Sequence, residues 1–204
     1  DLYYGDGQGN FSKLAPGTNG MYLETKGTGA NPLWSTVVPG AGTITTSMIA
    51  SNAITPPKMG QAYAARVYSS ANQSTANSTD TVLAFDSSTF DTNTFHSNST
   101  NNSRMTIRLA GLYSIEAQVS FASNSTGVRY VVFAKNGTNN LAYIASPAVS
   151  GDRTTVHVYT LASLAVNDYI EVVANQSSGG ALNVEGAASD AYYETHFQIV
   201  FLGT

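Results

Sequence analysis

A chain of 204 residues with 42% hydrophobic side chains can build one domain around a real core and still carry an appendage. Only 11% of the residues are charged and the formal net charge is -4, so no basic patch exists to displace counterions, and nucleic acid is excluded as a partner. There is no cysteine, which removes disulfides and thiolate metal sites, and no apolar run reaches membrane-spanning length, which excludes membrane insertion.

No signal peptide is evident, and an opening at Asp1 rather than Met reads as a processed form or a fragment. Residues 1–60 hold ten of the eighteen glycines, five of the six prolines and the only tryptophan, Trp34. Punctuation this dense leaves no room for long helices or strands. A solvated linker would fit that composition, but it has no use for Leu2, Tyr3, Tyr4, Phe11, Leu14, Met21, Tyr22, Leu23 and Leu33. Gly5-Asp6-Gly7-Gln8-Gly9 reads as a turn, because the strand and helix that would make it a nucleotide loop are missing. Further on, Ile44, Ile49, Ile54 and Met59 recur every five residues within a doubled Ile-Thr repeat. One copy cannot bury such a row, so the pentad predicts the seam of a shaft wound from several copies. The run Phe11-x-x-Leu14-x-Pro16-Gly17-Thr18-Asn19-Gly20, closed by Gly29-Ala30-Asn31-Pro32-x-Trp34, resembles segments of phage tail-fibre and virion-spike proteins. So does the Ile-Thr repeat. The resemblance implies an extended trimeric shaft over residues 1–60 that attaches to other virion proteins.

From residue 61 the chain reads as short strands between polar turns, at 64–68, 81–85, 105–109, 112–121, 128–135, 141–145, 154–161, 169–174 and 192–202. The stretch after Gly111 is the clearest. Tyr113, Ile115, Ala117, Val119 and Phe121 alternate with Ser114, Glu116, Gln118 and Ser120, the period of a strand with one buried face. Asn136-Gly137 predicts a two-residue hairpin turn. Regular spacing without helical periods gives an all-β sandwich over residues 61–204.

Several motifs of this region are similar to the tumour necrosis factor and complement-type globular-head superfamily. Phe85, Phe90 and Phe95 precede a Gly111-x-Tyr113 strand. Leu164 followed by Asn167-Asp168 resembles the family's Leu-x-x-Gly-Asp corner, with Asn in place of Gly, and His196-Phe-Gln-Ile-Val-Phe-Leu202 resembles its final strand. The resemblance implies a jelly-roll head that assembles as a homotrimer.

Catalytic signatures are missing: there is no nucleophile elbow, no phosphate loop and no His-Glu-x-x-His. No enzymatic activity, no cofactor and no metal is therefore expected. Acidic loop residues such as Asp80, Asp86, Asp91, Asp152, Glu185 and Asp190 could hold calcium in an assembly, but read first as solvated charges. Alternation does single out three ionisable groups. Glu116, His157 and His196 each lie opposite the apolar set of their own strand and leave the face away from the core. In the resembling family the matching positions pack around the threefold axis and are typically aromatic, which makes these three the candidate axial residues. His96 falls in a loop and receives no role.

The function these features point to is a virion structural protein at the particle surface. It would be a trimeric fibre or spike whose head binds a host-surface glycan or protein. The alternatives are a capsid-decorating trimer without receptor binding and a secreted complement-like recognition module.

Overall fold

A computed structural model describes residues 2–5, 8–36, 44–45, 48–49, 62–187 and 195–203. The chain divides into two units, Asp1–Met59 and Gly60–Thr204.

In the first unit, β1 (Leu2–Gly5) pairs antiparallel with β2 (Phe11–Leu14), and β3 (Met21–Glu24) with β4 (Leu33–Thr36). Four-residue strands are what the glycine and proline spacing permits. Trp34 Nε1 donates to the Ala15 carbonyl at 2.7 Å, and a Cβ added at Gly17 would lie 2.7 Å from the indole Cγ. The Pro16-Gly17 turn thus packs directly on Trp34, which explains why the motif carries both. No described residue of this unit is buried, and Phe11 is 82% exposed. Isolated two-stranded hairpins are marginal in water. Of the expected shaft seam, Ile44 and Ile49 are exposed, while Ile54 and Met59 lie outside the described residues.

The second unit contains β5 (Ala64–Tyr68), β6 (Gln73–Thr75), β7 (Thr81–Val82), β8 (Ser87–Asp91), β9 (Arg104–Thr106) and β10 (Gly111–Phe121). It continues with β11 (Val128–Lys135), β12 (Asn139–Pro147), β13 (Thr154–Leu164), β14 (Tyr169–Gln176), β15 (Leu182–Val184) and β16 (His196–Gly203). Among the described residues no α-helix occurs. One sheet runs β6-β15-β10-β16-β5-β8, with β13 along the other side of β10; the second runs β12-β11-β14-β7, with β9 also on β14. The two sheets pack as a sandwich, as the strand pattern predicted.

Strand β10 organises the core. Its Tyr113, Ile115, Ala117, Val119 and Phe121 are all fully buried, each contributing about 1–3 kcal/mol of apolar burial according to its size. Phe133, Phe197, Ile199, Val172 and Ile170 join them from the facing and neighbouring strands. A buried phenol needs an acceptor, and Tyr113 Oη donates to the Leu109 carbonyl at 2.6 Å. Of the three phenylalanines in the resemblance, Phe85 and Phe95 are buried, but Phe90 is exposed on β8. The expected strand at 81–85 shortens to β7, because Leu83 and Phe85 bond to Val172 and Asn102 across loop backbone instead.

One end of the core is polar. Arg129 is fully buried, with Nη2 donating to the Asn124 carbonyl at 2.8 Å and Nη1 to the Thr126 carbonyl at 3.0 Å. Burial lowers its pKa, and its Nε has no hydrogen-bond partner. The polar segment 86–104 is pinned by His96, whose Nδ1 and Nε2 lie 2.8 and 2.9 Å from the Arg104 and Phe85 carbonyls. His96→Leu is expected to cost about 1–3 kcal/mol, since a half-buried carbonyl loses its imidazole donor. An unchanged denaturant midpoint would show that the latch carries no stability.

Both corner motifs fall at turns, but the first is one residue longer than the two-residue hairpin turn expected. Asn136 and Gly137 take φ of 54° and 76°, although the loop also includes Thr138, since Lys135 pairs with Asn139. Asn167 takes φ of 72°, the left-handed conformation that Asn tolerates in place of Gly. Next to it, burial alone would raise the Asp168 carboxyl. The Lys135 ammonium at 2.7 Å, the Asn136 amide and the Ala165 N–H overrule burial and hold it at about 2. An unfolded aspartate titrates near about 3.9, so the folded state binds this proton less readily. The corner's stabilisation is complete above about pH 4 and fades as pH falls toward about 2. Asp168→Asn should therefore lower stability at neutral pH and flatten the acid slope in urea titrations run at several pH values. Parallel slopes in the two proteins would assign acid sensitivity elsewhere.

Candidate functional site

The face of the β10 sheet turned away from the core is ordered by register. Gln118 pairs with His157 on β13 and with His196 on β16, so one row reads His196, Gln118, His157. The next row reads Gln198, Glu116, Tyr159, and the one after it Val200, Ser114, Leu161. The structure thus brings the three ionisable candidates onto one face, with Glu116 diagonal to both histidines. Diagonal neighbours on a sheet stand about 7–8 Å apart. Gln198 Nε2 donates to Glu116 Oε2 at 2.7 Å, a partner that only the register reveals.

The same alternation displays apolar groups alongside the ionisable ones. Tyr159 is 81% and Leu161 61% exposed, and Leu112 and Leu202 are exposed beside them. These side chains share one outward sheet face with the ionisable row.

Among the described residues no three His, Asp or Glu side chains gather to hold a metal. The acidic loop residues are spent on loop geometry. Asp86 accepts from the Ser70 N–H and hydroxyl, and Asp91 from the N–H groups of Asn93, Phe95 and His96. Asp152 accepts from the Arg153 N–H, and Glu185 lies 4.0 Å from the Arg153 guanidinium. Asp190 lies outside the described residues.

Neither protein-family models nor curated protein sequences give a match to this chain. Solved structures do. Murine APRIL at pH 5.0 aligns with TM-score 0.53 and 13% identity, covering 70% of this chain and all of its own. The Eiger TNF of S. frugiperda aligns with TM-score 0.52 and 12% identity, covering 71% of this chain and 94% of its own. The head is a TNF-like jelly roll.

Within that jelly roll, the rows above lie on the outer face of the seven-stranded sheet, across its strands β13, β10 and β16. The globular domain of zebrafish complement 1qA also aligns, with TM-score 0.48 and 12% identity, over 69% of this chain and 97% of its own.

Proposed function

We propose that the protein is a trimeric fibre or spike of a virion, whose TNF-like head binds a molecule on a host surface while the N-terminal unit joins it to the particle. The observation that carries this reading is the outer face of the β10 sheet, where Tyr159 and Leu161 of β13, Leu112 of β10 and Leu202 of β16 are all exposed. A tyrosine set among exposed leucines resembles the apolar core of a subunit interface. Three copies packed through it would gather Glu116, His157 and His196 near a common axis. The N-terminal unit points the same way, since its hairpins bury nothing within one chain and gain a core only from further copies or a partner. The tail-fibre-like motif and the pentad row supply the virion part of the reading.

Light scattering of the purified protein at micromolar concentration is expected to return a trimer mass. Locating the polypeptide in purified particles tests the fibre assignment. A trimer that binds cells but is missing from particles would place the protein among secreted recognition modules. A particle-bound trimer that binds no cell would make it a capsid decoration.

A further inference from the structure

The opposite sheet carries a feature that trimer packing does not use. Register aligns Tyr143 of β12, Val132 of β11, Val173 of β14 and Val82 of β7 side by side across the outer face of that sheet. In the adjoining row Tyr130 stands opposite Asn175. Two adjacent hollows of about 300 and 200 Å³ share Asp80, Val132, Asn140 and Val173, and together form a shallow furrow across four strands. Its floor is the valine strip. Along one wall Tyr130 and Tyr143 stack with ring centroids 5.9 Å apart and planes 26° from parallel, and Tyr143 is 60% exposed. In the row of Tyr130, Asn175 Nδ2 donates to Asp80 Oδ1 at 2.6 Å, which fixes the carboxylate beside the Asn175 amide, while Asn140, paired with Ala134, lines the furrow from β12.

We propose that this furrow is a binding site for a neutral glycan, the aromatic wall stacking against the apolar face of a pyranose while Asp80, Asn140 and Asn175 bond its hydroxyls. The proposal deepens the recognition reading of the head and rests on it. The chemistry narrows the ligand in three ways. A sugar ring presents an apolar C–H face flanked by hydroxyls that both donate and accept, which is what tyrosine rings with a carboxylate and two amides around one furrow complement. Asp80 is the one charged residue lining the furrow, and no lysine or arginine faces it, so acidic sugars meet repulsion without compensation. A protein partner is less well served, because a stable protein contact takes about 800 Å² from each side, and Tyr143 and Val82 are the exposed large apolar groups the furrow offers.

Saturation-transfer NMR on the full chain tests this, using methyl β-D-galactopyranoside, methyl α-D-glucopyranoside and methyl N-acetyl-β-D-glucosaminide, with sialyllactose as the acidic probe. Transfer to the ring protons of at least one neutral glycoside is expected, with little to sialyllactose. Tyr143→Ala and Asp80→Ala, both at exposed positions that leave the core intact, should each weaken binding by about tenfold or more. The furrow is ruled out as the site if no neutral glycoside shows transfer, if both variants bind as well as the unaltered protein, or if sialyllactose binds as tightly. Cell binding measured in parallel separates the two readings. Cells held equally by the protein and by Tyr143→Ala would overturn the furrow and leave host recognition standing. Glycoside binding by a head that attaches to no cell would uphold the furrow and sink host attachment.

Discussion

In the proposed trimer, Leu161→Asp is expected to leave the protein as monomers. Leu161 lies on β13 opposite Ser114, next to the still more exposed Tyr159, and contributes nothing to the core of its own sandwich. Burying a leucine of this kind stabilises by about 1.5–3 kcal/mol, and a trimer loses three at once. An aspartate in the same place adds the cost of removing a carboxylate from water without a counter-ion. At a factor of ten for each 1.4 kcal/mol, the combined loss raises the dissociation constant by more than about a thousandfold. Light scattering at micromolar concentration should then report a single-chain mass, with far-ultraviolet circular dichroism unchanged. Val166→Asp makes the matching control, since Val166 is exposed in the β13–β14 turn, outside the paired rows of β13. A mass left unaltered by both Leu161→Asp and Tyr159→Asp would remove the face from the assembly.

The second large effect is expected at Gly127. Its φ is 79°, and a Cβ there would fall 2.0 Å from the Ser177 carbonyl oxygen. Backbone stands on both sides of that clash, so neither side yields cheaply. Ser177 is bonded to the next residue twice, its Oγ accepting from the Val128 N–H at 2.9 Å and its N–H donating to the Val128 carbonyl at 3.1 Å. The preceding residue, Thr126, supplies a carbonyl to the buried guanidinium of Arg129. Displacing this loop therefore strains φ, breaks backbone bonds and loosens the carbonyls that hold a buried cation. Strain of about 1–2 kcal/mol and two lost bonds of about 0.5–1.5 kcal/mol each bring Gly127→Ala to about 2–5 kcal/mol. Gly179 isolates the strain, because its φ is 92° and nothing lies within 4 Å of an added Cβ. Gly179→Ala should cost only about 1–2 kcal/mol. Equal losses at the two glycines, read from urea midpoints, would show that the close approach to Ser177 is unimportant.

Whether an element is legible in the sequence depends on what holds it in the fold. Strands that bury an apolar face announce themselves: β10, β11, β13, β14 and β16 fall within a few residues of the predicted spans. β6, β8 and β15 are invisible there because they are held by ladders and side-chain bonds within polar loops. Gln73, for example, is tied to Ala84 by paired bonds of 2.8 Å, and no apolar period records that. Arg129 shows a different failure. In 128–135 both faces alternate, and a charged residue on one of them argues for solvent, yet that face is the buried one. At the candidate site, alternation alone places Glu116, His157 and His196 on one side of their strands. Gln198 as the partner of Glu116, and the furrow beside Tyr130, depend on cross-strand register, which lies between strands and not along any one of them.

The position of β16 has a consequence for how the head is made. It lies between β10 and β5, and pairs Gln198 with Arg66, which precedes it by 132 positions. Synthesis proceeds at about 5–20 residues per second, so β5 waits on the order of ten seconds for that neighbour. Until β16 is made, β5, and β10 once it has been synthesised, each hold out an unpaired edge that any neighbouring nascent copy could fill with its own β16. Crowded ribosomes on one message would trade strands between copies, whereas sparse translation would let each head close on the β16 of its own chain.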